Sequence, residues 1–278
     1  MSSPEQLPAA VLICHQRDPL DRVGIASWLA ATMRLAGIVE IRAGGRRMWR
    51  AARRELKRSG MVGLADVLAF RLFSQLVERS TDAAWTRDQV AALQRRYPAD
   101  LNSIPRIVVR DPNGADARAF ITAAAPDIII ARCKFLLKPE IFELATAGAF
   151  ALHPGICPEY RNAHGCFWAL ANRDLERVGM TLLKIDRGVD TGPALLHATC
   201  NFDEVSESHY VIQQRVVIEN LDRIGAVLKA AAAGTATPLN SAGRASAVWG
   251  QPRLSSYLRW KRAARRDRER LHDLPVVS

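Results

Sequence analysis

Asp127-Ile128-Ile129-Ile130-Ala131 narrows the choice of fold most sharply: it is continuously apolar, β-branched and introduced by Pro126. Successive residues of a strand face opposite sides of a sheet, so a strand with no polar side must be covered on both. Ala9 to Cys14 and Ala149 to Leu152 read the same way. Val39-Glu40-Ile41, Ile104 to Val109 and Thr181 to Ile185 are further strand candidates. Between them lie stretches of helical character at 25–33, 46–98, 115–124 and, briefly, 142–146. Strands alternating with helices predict an α/β fold built on a doubly wound, mostly parallel sheet. Ligands of such sheets lie beyond the carboxyl ends of the strands, near the point where strand order reverses. The Ala-rich helix end at 230–233, followed by Gly234 and Pro238, marks the edge of the compact body. The expected division is a main domain over 8–240 and a C-terminal extension with a basic helix over 241–278.

The net charge of +11 points to an acidic substrate, nucleic acid or an anionic surface without choosing among them. Much of it sits in two clusters. One runs from Arg42 to Arg58 and holds Arg46, Arg47, Arg50, Arg53, Arg54 and Lys57; the other runs from Arg259 to Arg270. Each reads first as a solvated helix face and second as a polyanion-binding surface. No RNA-binding signature or aromatic stacking platform accompanies them, so nucleic acid is not an expected partner. The five cysteines are scattered and lack CxxC spacing, which argues against a zinc site or a disulfide framework, and no metal is expected. No uninterrupted run approaches the roughly 20 apolar residues that span a bilayer. The first residues carry neither a basic nor an apolar signal region, so a cytoplasmic location without a membrane span is expected.

The turn after Cys14 has no glycine before Gly24, and neither a P-loop nor a GxSxG elbow occurs. Nicotinamide, flavin and hydrolase-elbow chemistry are therefore disfavoured. The candidate site begins instead at His153, where Pro154-Gly155 ends a strand and turns the chain. A lone histidine is more often structural, but this one stands at a strand end, where its ring can be aimed into a crevice. Asp186 and Asp190 flank Arg187-Gly188-Val189 in a tight loop that Thr191-Gly192-Pro193 closes. An aspartate so held can orient an imidazole or relay a proton. Cys157 is a weak nucleophile candidate, since the turn before it leaves its direction open.

The segment 149–200 resembles the core of the folate-dependent formyltransferases. The likeness is carried by His153-Pro154, Tyr160-Arg161, Trp168-Ala169-Leu170, Asp190 and Gly192-Pro193. It extends more weakly to Asp127 through Leu137 and to Val248-Trp249-Gly250-Gln251-Pro252, covering roughly 8–260. The resemblance implies His153 and Asp190 as catalytic residues and 10-formyltetrahydrofolate as the formyl donor. It further implies that the pterin bonds to the backbone around Phe135, Leu136 and Leu137 and to the loop Ile185, Asp186, Arg187, Gly188 and Val189. The implied acceptor is the amine of a small molecule, an acidic one given the charge. Methionyl-tRNA is a less expected acceptor, because few residues follow Pro238. Oligomeric state is silent.

The sequence departs from that family at one position. Where the family has asparagine two residues before the histidine, this chain has Ala151. One oxyanion donor is worth about 100- to 1,000-fold in rate. Asn162 and His164 are the candidate stand-ins. Hydrolysis of formyltetrahydrofolate by the same residues, and ligand binding without turnover, stay open as alternatives. Arg132 and Lys134 replace small or apolar residues of the family and either meet an acidic ligand group or face solvent.

Overall fold

The computed structural model describes residues 7–42 and 45–272, the side chains of 45–52, 54, 271 and 272 excepted. Arg46, Arg47, Arg50 and Arg54 of the first basic cluster thus lie outside the described side chains. Seven strands form one sheet: β1 (Ala9–His15), β2 (Arg34–Ile41), β3 (Arg106–Val109), β4 (Ile128–Arg132), β5 (Gly148–His153), β6 (Gly179–Lys184) and β7 (Ala194–Thr199). Their order is β3-β2-β1-β4-β5-β6-β7. β1 to β5 are parallel, and β6 and β7 are antiparallel additions at the β5 edge. Strand order reverses between β1 and β4, which opens a crevice beyond their carboxyl ends. β5 is the next strand over, so the end that carries His153 borders the crevice.

The helices are α1 (Ala26–Thr32), α2 (Gly45–Phe73), α3 (Arg79–Arg96), α4 (Ala115–Ala124), α5 (Pro139–Phe142), α6 (Gly165–Ala171), α7 (His209–Glu219), α8 (Leu221–Ala232) and α9 (Leu254–His272). The doubly apolar strands dictate two cores. Leu12, Ile128, Ile130, Phe150 and Leu182 pack under α1, α7 and α8 through Trp28, Val217 and Ile224. Ile13, Ile129 and Ala149 pack on the other face, under Ile121 of α4 and Ile141 of α5. A third cluster joins Phe70 of α2, Phe167 of α6 and Tyr257 and Trp260 of α9.

Several boundaries differ from expectation. The short helix starts at Pro139 rather than 142, because proline is favoured in a first helical turn, where its missing N–H costs nothing. β2 begins at Arg34, whose N–H bonds the Pro8 carbonyl. Strand β7 was not anticipated. α2 and α3 are joined through a π-helical turn, Ser74–Glu78, with a kink at Gly60, where φ is 68°. The segment Glu55–Arg96 is, by length and composition, apolar enough to cross a membrane. The uninterrupted-run criterion passes over it because Asp66 and Arg71 break the run.

Arg132 neither meets solvent nor waits for a ligand. Its Nε donates to Asp21 at 2.7 Å, and its guanidinium also reaches the Gln214 amide oxygen and the Leu152 carbonyl. Both members of the ion pair are buried. The fixed guanidinium fork satisfies three acceptors from three elements and locks β4 to α7 and the turn after β1. Lys134, by contrast, is exposed.

Candidate active site

His153 ends β5 with 5% of its surface exposed. Its Nε2 lies 2.8 Å from the Tyr160 carbonyl oxygen, and its Nδ1 lies 3.5 Å from Asp190 Oδ2. A carbonyl oxygen only accepts, so the Tyr160 contact requires a proton on Nε2 and leaves Nδ1 as the basic nitrogen of the neutral ring. A proton taken up at Nδ1 is then shared with a carboxylate whose side chain is 21% exposed. The geometry makes a two-atom edge, Nδ1 and Oδ2, that can hold or pass one proton.

Backbone shape brings the pair together. Asp190 has φ 51° and Asn162 has φ 79°, both in the left-handed region that Asn and Asp tolerate best among residues with a Cβ. The Asn162 N–H donates to Asp190 Oδ2 at 2.7 Å, and the Asn162 side-chain amide donates to the Trp249 carbonyl at 2.6 Å. The turn after His153 depends on two glycines in contact. A Cβ on Gly155 would stand 2.6 Å from the Tyr160 oxygen, 2.8 Å from Gly165 Cα and 2.9 Å from His153 Nε2. Thr181 Oγ1 ties this turn to β6 by donating to the Gly155 carbonyl at 2.7 Å and accepting from the Cys157 N–H at 3.0 Å.

The loop between β6 and β7 closes on Asp186, whose carboxylate accepts from the Gly188 N–H at 2.9 Å and from Thr191 Oγ1 at 2.8 Å. Asp186 therefore shapes the loop, and Asp190 is the aspartate presented to the imidazole. Of the other expected ligand-binding residues, Leu136, Leu137 and Arg187 line one open cavity of about 690 Å³, together with Arg118, Lys138 and Glu143. His153 and Asp190 do not line it, and neither do Phe135, Ile185, Gly188 and Val189. Asn113 brackets the first segment, donating to the Leu136 carbonyl at 3.1 Å and accepting from the Lys138 N–H at 2.8 Å. Two backbone groups of that segment are thus already satisfied within the protein.

Ala151 packs against Cys157, Leu183 and Ala194, so a methyl in a small apolar cluster stands where a carboxamide was expected. The Asn162 amide is directed to Trp249. His164 sits at the start of α6 with a buried Nδ1 that has no partner. Burial, then the charges of Lys134, His209, Arg71 and His153, holds its pKa well below the ordinary value, so the ring is a neutral donor. Cys157 is excluded as a ready nucleophile, because burial pushes its thiol far up.

Sequence reasoning missed the support behind the pair. Residues 247–249 form a strap. Arg161 N–H bonds the Ala247 carbonyl at 3.1 Å, and Trp249 N–H bonds the Arg161 carbonyl at 3.2 Å. The Trp249 ring stacks on Trp168 at 5.1 Å and on Tyr160 at 5.6 Å between centroids.

A mostly parallel sheet with a histidine–aspartate pair at a strand end near its topological switch defines the protein as α/β. A family model described as "Formyl transferase" matches residues 81–228, more than half of the chain. The chain belongs to the formyl transferase family. Among curated proteins, it is 30% identical over 129 residues to a methionyl-tRNA formyltransferase of Chlorobium limicola; the match covers 44% of this chain and 40% of that protein. It is 36% identical over 103 residues to a methionyl-tRNA formyltransferase of Thermodesulfovibrio yellowstonii, covering 35% of this chain and 33% of that one. The matches thus span less than half the length of these relatives. A sugar N-formyltransferase structure from a Shewanella species superposes with a TM-score of 0.51 at 13% identity, covering 97% of this chain and 82% of that one. A phosphoribosylglycinamide formyltransferase structure from Anaplasma phagocytophilum gives 0.51 at 12% identity, covering 89% and 100%. These two likenesses establish the shared fold.

Proposed function

We propose that this chain transfers a formyl group from 10-formyltetrahydrofolate to the amino group of a small, acidic acceptor. The observation that carries this reading is the His153–Asp190 pair, held from behind at the switch-point side of the sheet. The donor suits the open cavity at the expected pterin-binding segment. Leu136, Leu137 and Leu144 offer apolar contact for a planar ring system, and Arg118, Lys138 and Arg187 offer charge for a carboxylate-bearing tail. When bound, the folate would supply the formyl carbon.

The residues of the chain then divide the work. His153 Nδ1 would accept the proton that the attacking amine loses, Asp190 would stabilise the imidazolium so formed, and that proton would pass to the folate nitrogen as its bond to the formyl carbon breaks. The Tyr160 carbonyl keeps the other ring nitrogen protonated, which prevents the wrong tautomer. His164, neutral and half-buried, is the stand-in donor for the oxygen that gains negative charge where Ala151 offers none. The basic surface draws an acidic acceptor. The reading keeps the protein in the cytoplasm.

A second reading, folate binding without turnover, is favoured by the apolar cluster around Ala151. Incubating the protein with 10-formyltetrahydrofolate and a panel of anionic amines separates the two. Formylated product that disappears in His153→Ala supports transfer. Release of formate in place of formylated amine indicates hydrolysis, and saturable binding with neither product indicates the second reading.

A further inference from the structure

Helix α2 is apolar on the side it shows to water. Val67 and Phe70 turn inward and are buried, with Phe70 5.5 Å from both Phe167 and Tyr257. Met61, Ala65, Leu68, Leu72 and Leu76 recur every three or four residues and so form a stripe along the opposite side, running into the π-helical turn. Met61 is 80% exposed, Leu68 50%, Leu72 57% and Leu76 75%. Val62 and Val77, 85% and 57% exposed, widen the stripe. Contiguous apolar surface of this extent marks an interaction site.

The charges along the helix are sorted. Asp66 bonds Ser255 and Glu78 bonds Tyr257, so these two acids turn toward α9, while Glu55 is buried and bonds Ser59. Arg71 bonds Gln251. Among the described residues, the exposed charges flanking the stripe are basic: Lys57 and Arg58 before the kink, with Arg58 also reaching the Val248 carbonyl, and Arg79 beyond it. An apolar strip with its acids turned away and its ends positive has the pattern of a helix that lies in a membrane interface.

We propose that this stripe seats the protein on the surface of an anionic bilayer, with Met61, Leu68, Leu72 and Leu76 in the headgroup–acyl boundary and Lys57, Arg58 and Arg79 on lipid phosphates. The helix lies on the membrane and does not cross it, because Phe70 packs its other side into the core with Phe167 and Tyr257, and Val67 on that side is buried. Charge also selects lipid over a second copy of the chain. Two copies stacked stripe to stripe would oppose like-charged ends whether they ran parallel or antiparallel, and each carries a net charge of +11. A cytoplasmic leaflet has the complementary sign.

The test is co-sedimentation of the full chain with vesicles of phosphatidylcholine alone and of phosphatidylcholine mixed with phosphatidylserine, alongside sedimentation velocity without lipid. Binding is expected only to the mixed vesicles and weakens as salt is raised. Leu68→Ser with Leu72→Ser should cut partitioning by more than about tenfold. Lys57→Ala and Arg79→Ala should each cut it by about fivefold. All four positions are exposed, so an unchanged melting temperature certifies that the variants fold. Equal binding to both vesicle types, or to neither, overturns the proposal. A dimer that the double serine variant dissociates, without vesicle binding, also overturns it and assigns the stripe to a second copy.

Discussion

Gly155→Ala tests the site architecture with one methyl group. The added Cβ would stand 2.6 Å from the Tyr160 oxygen and 2.8 Å from Gly165 Cα, both backbone atoms, and 2.9 Å from His153 Nε2. Each contact lies several tenths of an ångström inside van der Waals distance, so the two turns must separate. Overpacking of this kind costs about 1–3 kcal/mol, and loss of the His153–Tyr160 hydrogen bond adds about 1 kcal/mol. A fall in melting temperature of roughly 5–10 °C is expected. Formyl-transfer turnover, measured well below that temperature, should fall about 100-fold, because the imidazole that must be held is the group displaced. Gly225→Ala supplies the control. Gly225 lies inside α8, where an added Cβ meets only Trp28, at an ordinary 3.5 Å. Alanine in a helix interior is worth about 0.5–1 kcal/mol over glycine, so this variant should melt higher than the parent. A Gly155→Ala protein that melts and turns over like the parent refutes the proposed packing of the turn on His153.

Three further outcomes follow from the geometry. Asp190→Asn keeps the shape and the contact with the Asn162 N–H but removes the charge opposite His153 Nδ1, so kcat should fall about 100- to 1,000-fold with little change in melting temperature. Ala151→Asn places a carboxamide among Cys157, Leu183 and Ala194; it should lower stability by about 1–3 kcal/mol and raise kcat by about 100-fold, and a decrease in kcat would mean the methyl makes room for a different ligand. His209 is buried on Phe70 and Phe167, and burial lowers its pKa from 6.5 to about 3. Between those values the unfolded chain binds a proton that the folded one does not, so stability falls as pH falls, by about 1.4 kcal/mol per unit. His209→Phe should flatten that part of the melting-temperature profile measured from neutral pH down to about pH 4, while an unchanged slope would place the acid sensitivity elsewhere.

The sheet was legible wherever a strand is apolar on both sides. Ile128 to Ile130 could be satisfied only between two helical layers, and their burial in both cores follows. β7 escaped because an antiparallel edge strand needs no such run, and His197 and Thr199 break its pattern. The outward stripe of α2 escaped for another reason. Val67 and Leu68 are adjacent and both apolar, so the pattern announces a helix without saying which side meets the core. Packing decides that, through Phe70 against Phe167 and Tyr257. Arg132 misled because a cation near a ligand crevice resembles a ligand contact, while its partners Asp21 and Gln214 come from distant parts of the chain.

The site divides along the same line. His153 and Asp190 announce themselves by side-chain type and by the turns around them. What holds them is backbone: the Tyr160 carbonyl, the Asn162 N–H and the Trp249 carbonyl, none of which leaves a mark in residue identity. The route from the C-terminal strap to the carboxylate is short. Trp249 holds the Asn162 side chain, Asn162 holds Asp190 through its N–H, and Asp190 faces the imidazole. Residues beyond 240 are thus coupled to the His153–Asp190 edge through the Asn162 hydrogen bonds and through Trp249, which stacks on Tyr160 and Trp168. A carboxylate restrained in this way loses little further entropy when a proton is exchanged across it, which is the advantage of building the pair on fixed turns and not on a free loop.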